Sequence, residues 1–312
     1  MTERPTMLAI RSLDQLIAET KGQPSRRLAV AAGHDPNTIQ AAARAAAEDI
    51  AKVTLVGDRS RIEDLCREHG LDAGVFTIID ERNDGKAGAE AVRLVRAGEA
   101  DVLMKGLIGT EKYMRLILDK DQGLLPPKAV LSHITVLDIP AYQALHGKLL
   151  IVSDVAIIPD PDLATKVQIV QYLIDAAHAF GIEDPKVALV AATEKVNPKM
   201  PACVDAAIIT QMNRRGQIAG ATVDGPLALD VALSPEACAI KGLASPVGGA
   251  ADCLLFPDIE AGNVFYKGAT ILGGGRLAAA VVGTTAPCVL TSRADTEESK
   301  YFSIALGCRL AK

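Results

Sequence analysis

The fold is decided by residues 28–56, which read LAVAAGHDPNTIQAAARAAAEDIAKVTLV. The aliphatic runs at 28–32 and 53–56 have the length of buried strands. The alanine-rich segment at 37–51, which follows Pro36, is typical of a helix. A strand, a helix and a second strand form a crossover unit whose two strands are parallel. The stretch therefore predicts an α/β protein built on a mainly parallel sheet.

The same alternation continues along the rest of the chain. Further strands are predicted at 75–79, 102–104, 149–152, 187–190, 218–223, 253–256, 277–282 and 289–291, and further helices at 59–69, 87–97, 110–119 and 162–180. Ligands of such sheets bind beyond the carboxyl ends of the strands. Candidate functional residues follow strands at both extremes of the chain, which indicates two lobes with a central cleft and a seam near Ile139.

Composition narrows the possible partners and the compartment. The 312 residues carry 33 basic and 38 acidic side chains. The aromatic residues are five tyrosines and five phenylalanines, and there is no tryptophan. We expect no nucleic-acid partner, because such binding needs basic surface. We also expect no membrane span, since no apolar run approaches about 18 residues. The six cysteines are dispersed and form no Cys-x-x-Cys pair. This pattern favours cysteines that act as small buried side chains in a reducing cytoplasm.

Motifs for metal and nucleotide binding are missing or misplaced. The five histidines lie too far apart in the sequence for a local metal pair, and Asp224 and Asp230, without an identifiable third ligand, favour structural roles. Residues 273–278 read GGGRLA and fit a dinucleotide fingerprint, but they precede a predicted strand instead of following one. We therefore expect a glycine-rich turn there, and neither a metal nor a redox cofactor.

Five stretches, in one order along nearly the whole chain, resemble the phosphate acetyltransferase/phosphate butyryltransferase family. They are residues 100–115 (ADVLMKGLIGTEKYMR), 152–161 (VSDVAIIPDP), 223–230 (VDGPLALD), 245–267 (SPVGGAADCLLFPDIEAGNVFYK) and 286–295 (APCVLTSRAD). The resemblance implies a reversible reaction in which acyl-CoA and inorganic phosphate give acyl phosphate and free CoA. CoA and phosphate are then substrates and not cofactors.

The resemblance also implies an architecture. Its fold is similar to that of isocitrate and isopropylmalate dehydrogenases, with two α/β lobes and a cleft. The first lobe is expected to hold residues 1–140 plus 287–312 and the second residues 141–286. A homodimer, or a higher homo-oligomer, built on the second lobe is also what the family suggests.

The catalytic candidates implied by the resemblance lie after the strand predicted at 289–291. Arg293 is expected to hold phosphate or CoA, and Ser292 to donate to the acyl oxygen or to the thiolate. A thiol titrates near about 8.5, so a thiolate at neutral pH needs a base or positive charge nearby. Asp295 and Glu298 are candidates for that base, although the same pair fits a capping box at the start of a helix.

The phosphate- and CoA-binding candidates lie elsewhere in the chain. They are Thr110, Arg115, Asp154, Asn263 and Lys267. Thr110 also fits a plain N-cap, and Asp154 also fits a structural hydrogen-bonding role.

The chain departs from acetyl-specific members in a way that resembles the butyryl type. An arginine that follows the Tyr-Lys pair in those members is replaced by Ile271, although Arg276 is near. Their Ser-Arg-Gly-Cys-Ser sequence is replaced by Ser-Arg-Ala294, and their acid seven positions after the serine is replaced by Ser299, which Lys300 follows.

Two other functions remain open at this point. One is a metal- and NAD(P)-dependent hydroxyacid dehydrogenase of the same fold. The other is a non-catalytic CoA-binding partner subunit, against which the intact Ser292 and Arg293 argue.

Overall fold

A computed structural model describes residues 9–291 and 295–312. The chain divides into two compact units. The terminal unit holds residues 13–131 and 277–312, and the central unit holds residues 132–276 with the described part of the N-terminal segment. The lobe bounds expected from the resemblance stay a prediction.

The elements alternate along the chain as the pattern predicts. The first part of the terminal unit contains α1 (Leu13–Lys21), β1 (Arg26–Ala31), α2 (Pro36–Ala47), β2 (Ala51–Gly57), α3 (Arg59–Glu68), β3 (Phe76–Asp80), α4 (Asp84–Arg96), β4 (Val102–Lys105) and α5 (Thr110–Leu118). The central unit contains β5 (Ser132–Asp138), α6 (Pro140–His146), β6 (Leu150–Ser153), α7 (Leu163–Ala179), β7 (Lys186–Val190), α8 (Pro201–Arg214), β8 (Thr222–Leu227), α9 (Leu229–Leu233), α10 (Pro235–Lys241), β9 (Cys253–Leu255) and α11 (Ile259–Lys267). The chain then returns with β10 (Arg276–Val282), β11 (Cys288–Val289) and α12 (Glu297–Leu310).

The strands of the terminal unit are ordered β3-β2-β1-β4-β11-β10. All neighbours are parallel except β10 and β11. Ala31 of β1 lies opposite Lys105 of β4, and Met104 lies opposite Val289 of β11. From β1 the chain continues to β2 on one side of β1, and it later places β4 on the other side. The strand order therefore reverses between β1 and β4. Ligands of open α/β sheets bind at such a reversal.

The strands of the central unit are ordered β5-β6-β9-β7-β8, again parallel except for β5 and β6. The prediction of an α/β fold with mainly parallel sheets is therefore confirmed. One predicted strand was misplaced: residues 218–223 were expected to form it, whereas β8 spans Thr222–Leu227.

The core is mostly aliphatic, as the composition indicates, and all six cysteines are buried and free. Burial raises the pKa of the Cys288 and Cys308 thiols to about 12. No helix in the described ranges is both long and apolar enough to cross a membrane.

A cluster of charged and aromatic side chains fixes α12 against α1 and α2. Glu48 at the end of α2 pairs with Lys21 at 2.5 Å and with Arg44 at 3.2 Å, and it accepts a hydrogen bond from the Tyr301 hydroxyl. The Arg44 guanidinium lies 3.9 Å from the centre of the Tyr301 ring and pairs with Glu297 at 3.7 Å. The start of α12, which follows residues 292–294, is held by this cluster.

We expect Glu48 to make the stability of the protein depend on acid pH. Burial alone raises the pKa of Glu48, but hydrogen bonds from Lys21, Tyr301 and Arg44 outweigh it and lower the pKa to about 2. A lowered carboxyl pKa gives stability that is present above the unfolded-state value of about 4.3 and is lost as the pH falls toward 2. With allowance for solvent screening, the contribution at neutral pH is about 1–2 kcal/mol.

The measurement is the free energy of unfolding of wild type and Glu48→Gln between pH 7 and pH 3. The difference between the two proteins should shrink as the pH falls below 5. Glu68→Gln, which changes an exposed glutamate of α3, is the control and should leave the curve unchanged. A difference between wild type and Glu48→Gln that is the same at pH 7 and pH 3 would contradict the prediction.

Candidate active site

The carboxyl ends of β1 and β4 are joined by backbone hydrogen bonds. The amide of Gly106 donates to the carbonyl of Ala31, and the amide of Leu107 donates to the carbonyl of Ala32, both at 2.8 Å. The loop that follows β4 is therefore laid along the loop that follows β1. This is the point where the strand order of the terminal unit reverses.

Gly106 is required by this close approach. A Cβ atom at this position would lie 2.2 Å from the carbonyl oxygen of Ala32 and 2.8 Å from that of Ala31. Both neighbours are backbone atoms of a buried strand end, so neither moves away without disturbing the pairing of β1 with β4. Glycine is therefore required after Lys105, because any side chain there would clash with the backbone.

Buried charged side chains surround the same strand ends. Lys105, the last residue of β4, is buried, and its Nζ donates to the Gly106 carbonyl at 3.2 Å. Lys300 of α12 is 3% exposed, and its Nζ donates to Thr291 Oγ1 at 3.2 Å and lies 3.8 Å from Asp35 Oδ2. Burial lowers the pKa of Lys300, and the carboxylates of Asp35 and Asp295 oppose that shift. The end of the sheet therefore carries two buried lysine side chains.

Asp35 has a second role, since it is the N-cap of α2. Its Oδ2 accepts hydrogen bonds from the Thr38 amide at 2.9 Å and from the Thr38 hydroxyl at 2.5 Å. One carboxylate thus fixes the start of α2 and faces the Lys300 ammonium.

Ser292 and Arg293 lie outside the described residues. The chain enters this segment from Thr291, which is buried beyond the end of β11, and leaves it at Asp295, whose carbonyl accepts a hydrogen bond from Asn37 Nδ2 at 3.3 Å. Both flanking residues therefore lie at the edge where α2 begins.

The capping box expected for Asp295 and Glu298 is wrong. The N-cap of α12 is Thr296, whose hydroxyl accepts a hydrogen bond from the Ser299 amide at 3.2 Å. Glu298 is an exposed residue of the first turn, and Asp295 precedes the cap. A threonine one position later competes successfully for the cap, because its side chain reaches the amide three residues on.

Thr110 and Arg115 lie on α5, which begins soon after the end of β4. The N-cap of α5 is Gly109, so the expectation of a Thr110 cap is wrong, and Thr110 is an exposed residue of the first turn. Arg115 is exposed, and its guanidinium pairs with Glu111 one turn earlier at 2.5 Å. Such exposed pairs contribute at most about 1 kcal/mol, so the guanidinium is readily transferred to another anion.

The central unit brings Asp154 and Asn263 together. The buried carboxylate of Asp154 accepts hydrogen bonds from the Ser132 hydroxyl at 2.9 Å, from the amides of Ala156 and Ile157 at 2.8 Å each, and from the His133 amide at 3.2 Å. Asn263 Nδ2 donates to the Val155 carbonyl at 3.0 Å. The Asp154 carboxylate therefore shapes the loop at 154–157, and Asn263 attaches α11 to that loop.

Lys267 is an exposed residue of the last turn of α11, and Ile271 is also exposed. Arg276 pairs with Asp138 at 2.9 Å. Asp224 accepts a hydrogen bond from Ser245 at 2.7 Å, and Asp230 pairs with Lys241 at 2.9 Å. Within 9–291 and 295–312, no group of three or more histidine, cysteine, aspartate or glutamate side chains is placed to hold a metal ion.

Sequence reasoning missed the group formed by Lys105, Lys300 and Asp35. One signal was present, since a lysine at the end of a predicted aliphatic strand is unusual for its surroundings. The contact between Asp35 and Lys300 could not be predicted from the local sequence pattern, because the two residues are far apart in the sequence.

Comparison with known proteins decides the family. Residues 12–91 and 86–308 match the family described as Phosphate acetyl/butaryl transferase. The chain belongs to this transferase family. The resemblance found in the five sequence stretches is therefore confirmed, together with the prediction that the protein is a phosphate acyltransferase.

The relatives of this transferase match over almost their full length. The phosphate butyryltransferase of Clostridium acetobutylicum is 43% identical over 302 residues, which are 97% of this chain and 99% of the relative. The phosphate acetyltransferase of Thermotoga maritima is 42% identical, with 96% of this chain and 99% of the relative covered. The crystal structure of a branched-chain phosphotransacylase from Enterococcus faecalis V583 matches with a TM-score of 0.79 and 33% identity, covering 91% of this chain and 98% of that one.

The transferase shares its fold with a dehydrogenase. A 4-hydroxythreonine-4-phosphate dehydrogenase from Burkholderia phymatum matches with a TM-score of 0.54 at 14% identity, covering 93% of this chain and 99% of that one. The likeness shows the α/β fold alone, and at that level the prediction of a dehydrogenase-like fold is confirmed.

Proposed function

We propose that this protein transfers a short acyl group, acetyl or butyryl, reversibly between CoA and inorganic phosphate. The observation that carries the proposal is the near full-length match to a phosphate butyryltransferase and a phosphate acetyltransferase. An oxygen of phosphate attacks the thioester carbonyl, the carbon–sulfur bond breaks, and acyl phosphate and the CoA thiolate form. The thiolate then takes a proton or stays paired with a cation.

The chemistry assigns roles to the residues of the terminal unit. Arg293 holds the anionic substrates with a planar, bidentate group, and Ser292 donates to the acyl oxygen as charge develops there. Thr110 and Arg115 add contacts to phosphate. The exposure of Thr110 and of the Arg115 guanidinium supports that assignment.

The general base is proposed to be Asp295 or Glu298. Glu298 is exposed and Asp295 is half-buried, and both remain outside the cap of α12. Neither carboxylate is therefore consumed by capping the helix, which supports a chemical role.

The central unit is proposed to contribute CoA contacts through Asn263 and Lys267. The exposed Lys267 ammonium suits a phosphate group of CoA. Asp154 is proposed to act on the ligand mainly through the loop at 154–157, since four donors already surround its carboxylate.

The architecture proposed with this function is the isocitrate/isopropylmalate dehydrogenase-like one. Its two lobes hold residues 1–140 plus 287–312 and residues 141–286, and the second lobe forms a homodimer. The protein is proposed to work in the cytoplasm, without metal or redox cofactor.

The proposal is tested by CoA release from acetyl-CoA and butyryl-CoA with phosphate present. The assay is repeated after exhaustive chelation, and with a divalent ion and nicotinamide dinucleotide. Phosphate-dependent CoA release that stays within about twofold after chelation supports the acyltransferase. A dehydrogenase of the same fold would instead show dinucleotide reduction that needs the ion, and a partner subunit would bind CoA without turnover.

We predict that both substrates are bound together before the acyl group moves. Burial raises the pKa of the Cys66, Cys238, Cys253, Cys288 and Cys308 thiols, which disfavours the thiolate needed for an acyl-enzyme. Initial rates measured with acyl-CoA and phosphate both varied should give intersecting reciprocal plots. Parallel plots, or an acyl group found on the protein after an acid quench, would refute the prediction.

A further inference from the structure

Lys300 is a buried lysine that contacts residues at the end of the terminal sheet where the ligand is expected. It is 3% exposed, and it reaches Thr291 beyond the end of β11 and Asp35 at the start of α2. Burying an ammonium is unfavourable unless nearby groups compensate for the lost hydration. Here the compensation comes from a hydroxyl and a carboxylate that belong to two other elements.

The packing of α12 also rests on residues other than Lys300. The Tyr301 hydroxyl binds Glu48, and the Ser303 hydroxyl accepts a hydrogen bond from the Ala279 amide at 3.0 Å. Residues 301–308 of the helix are buried. These contacts attach α12 to the sheet and to α2, and Lys300 adds a contact to Thr291, beyond the end of β11.

We propose that Lys300 is a positioning residue for acyl transfer. Its ammonium holds Thr291 against the capped start of α2 and thereby sets the point from which the chain continues into Ser292 and Arg293. The inference rests on the proposed function, because it assigns Lys300 to the site of that reaction. It adds a residue that acts through Thr291 and Asp35 and not by touching the substrate.

The test compares Lys300→Met, which keeps most of the length of the side chain without its charge, with Thr291→Val, which keeps the shape without the hydroxyl. A displacement of about 1 Å at a reacting group lowers the rate by about 10²-fold. We expect Lys300→Met to lower kcat by about 10²-fold and Thr291→Val by about tenfold. The KM for CoA should stay within about threefold, because CoA binding draws on other residues.

The double variant reports whether the two residues act as one unit. If Lys300 works through Thr291, the kcat of the double variant should equal that of Lys300→Met within about twofold. A loss equal to the product of the two single losses would overturn the inference. So would a kcat for Lys300→Met within twofold of wild type.

Lys166 supplies a matched control in the central unit. It is another buried lysine, and its Nζ pairs with Asp205 at 2.7 Å. Lys166→Met should lower the melting temperature without changing kcat. If Lys166→Met lowered kcat as much as Lys300→Met, loss of stability would explain both, and the positioning role would be rejected. If Lys300→Met failed to fold, Thr291→Val would decide: a lower kcat with an unchanged melting temperature supports the role, and a normal kcat overturns it.

A readout without turnover separates this inference from the proposed function. Inorganic phosphate should raise the melting temperature of wild type and of Lys166→Met, and it should raise that of Lys300→Met less than half as much. A wild type that is stabilised by phosphate but makes no acyl phosphate would refute the proposed function while this comparison still decides the role of Lys300. Equal stabilisation of all three proteins would refute the role of Lys300 alone.

Discussion

Replacement of Arg293 by alanine is expected to lower kcat/KM for phosphate by about 10²–10³-fold. The guanidinium is proposed to hold an anionic substrate while negative charge develops on the acyl oxygen and on the leaving sulfur. Loss of such a donor raises the barrier by roughly 3–4 kcal/mol, whereas an ordinary surface ion pair contributes at most about 1 kcal/mol, to stability and not to rate. The measurement is kcat and KM for phosphate and for CoA, made together with the melting temperature.

Arg293→Lys is expected to recover part of the activity. The ammonium keeps the charge but loses the planar fork that binds two oxygens at once. Near-normal kinetics of the alanine variant would remove Arg293 from the site, and a large fall in its melting temperature would show a structural role instead.

Arg115 is tested in the same assay, and the chain offers a close control for it. Arg115 and Arg67 are both 76% exposed in their side chains, and each pairs with a carboxylate one turn earlier in its helix. If Arg115 contacts phosphate, Arg115→Ala raises the KM for phosphate while Arg67→Ala does not. Equal, small effects of both variants would show that Arg115 is an ordinary surface residue.

Gly106→Ala is expected to destabilise the protein by about 3 kcal/mol. The added Cβ would lie 2.2 Å from the carbonyl oxygen of Ala32, so β1 and β4 must separate at the point where the ligand is expected. For a protein of this size the melting temperature should fall by about 6–12 °C, as measured by calorimetry. Activity measured well below that temperature should fall as well, because the two strand ends no longer meet.

Gly109→Ala is the matched control for this change. It lies in the same connection, where an added Cβ meets no atom within 4 Å and the φ angle is −61°. Its effect should stay within about 1 kcal/mol, the scale of an N-cap replacement. Similar melting temperatures for the two alanine variants would show that the close approach at Gly106 is not a constraint.

The α/β alternation was predictable because most strands are short aliphatic runs bounded by polar or glycine residues. The strand β8 was misplaced because Gly225 and Pro226 interrupt it, and both residues are typical breakers of strands. In the structure Gly225 is explained by close packing, since a Cβ there would lie 2.6 Å from the Leu189 Cβ. Such a reason depends on the neighbouring strand and is invisible in the local sequence.

The candidate site residues after β4 and β11 came from the resemblance to the transferase family, and their roles stay predictions. Their positions beyond the ends of aliphatic strands agree with where ligands bind in parallel α/β sheets. The pairing of Lys300 with Asp35 was not predictable, because it depends on how α12 packs against α2. The choice of Thr296 over Asp295 as a cap was also beyond the pattern, since both residue types suit that position.

The order of the terminal strands has a consequence for synthesis on the ribosome. On one side β4 pairs with β1, but its neighbour on the other side is β11, so residues 106–287 must be made before that second side finds its partner. At about 5–20 residues per second this takes roughly 10–40 s. During that time one side of β4 is an open strand edge with unpaired backbone groups, the kind of surface on which nascent chains aggregate. A chaperone that covers the growing chain over this interval is expected to raise the yield of folded protein more than one added after release.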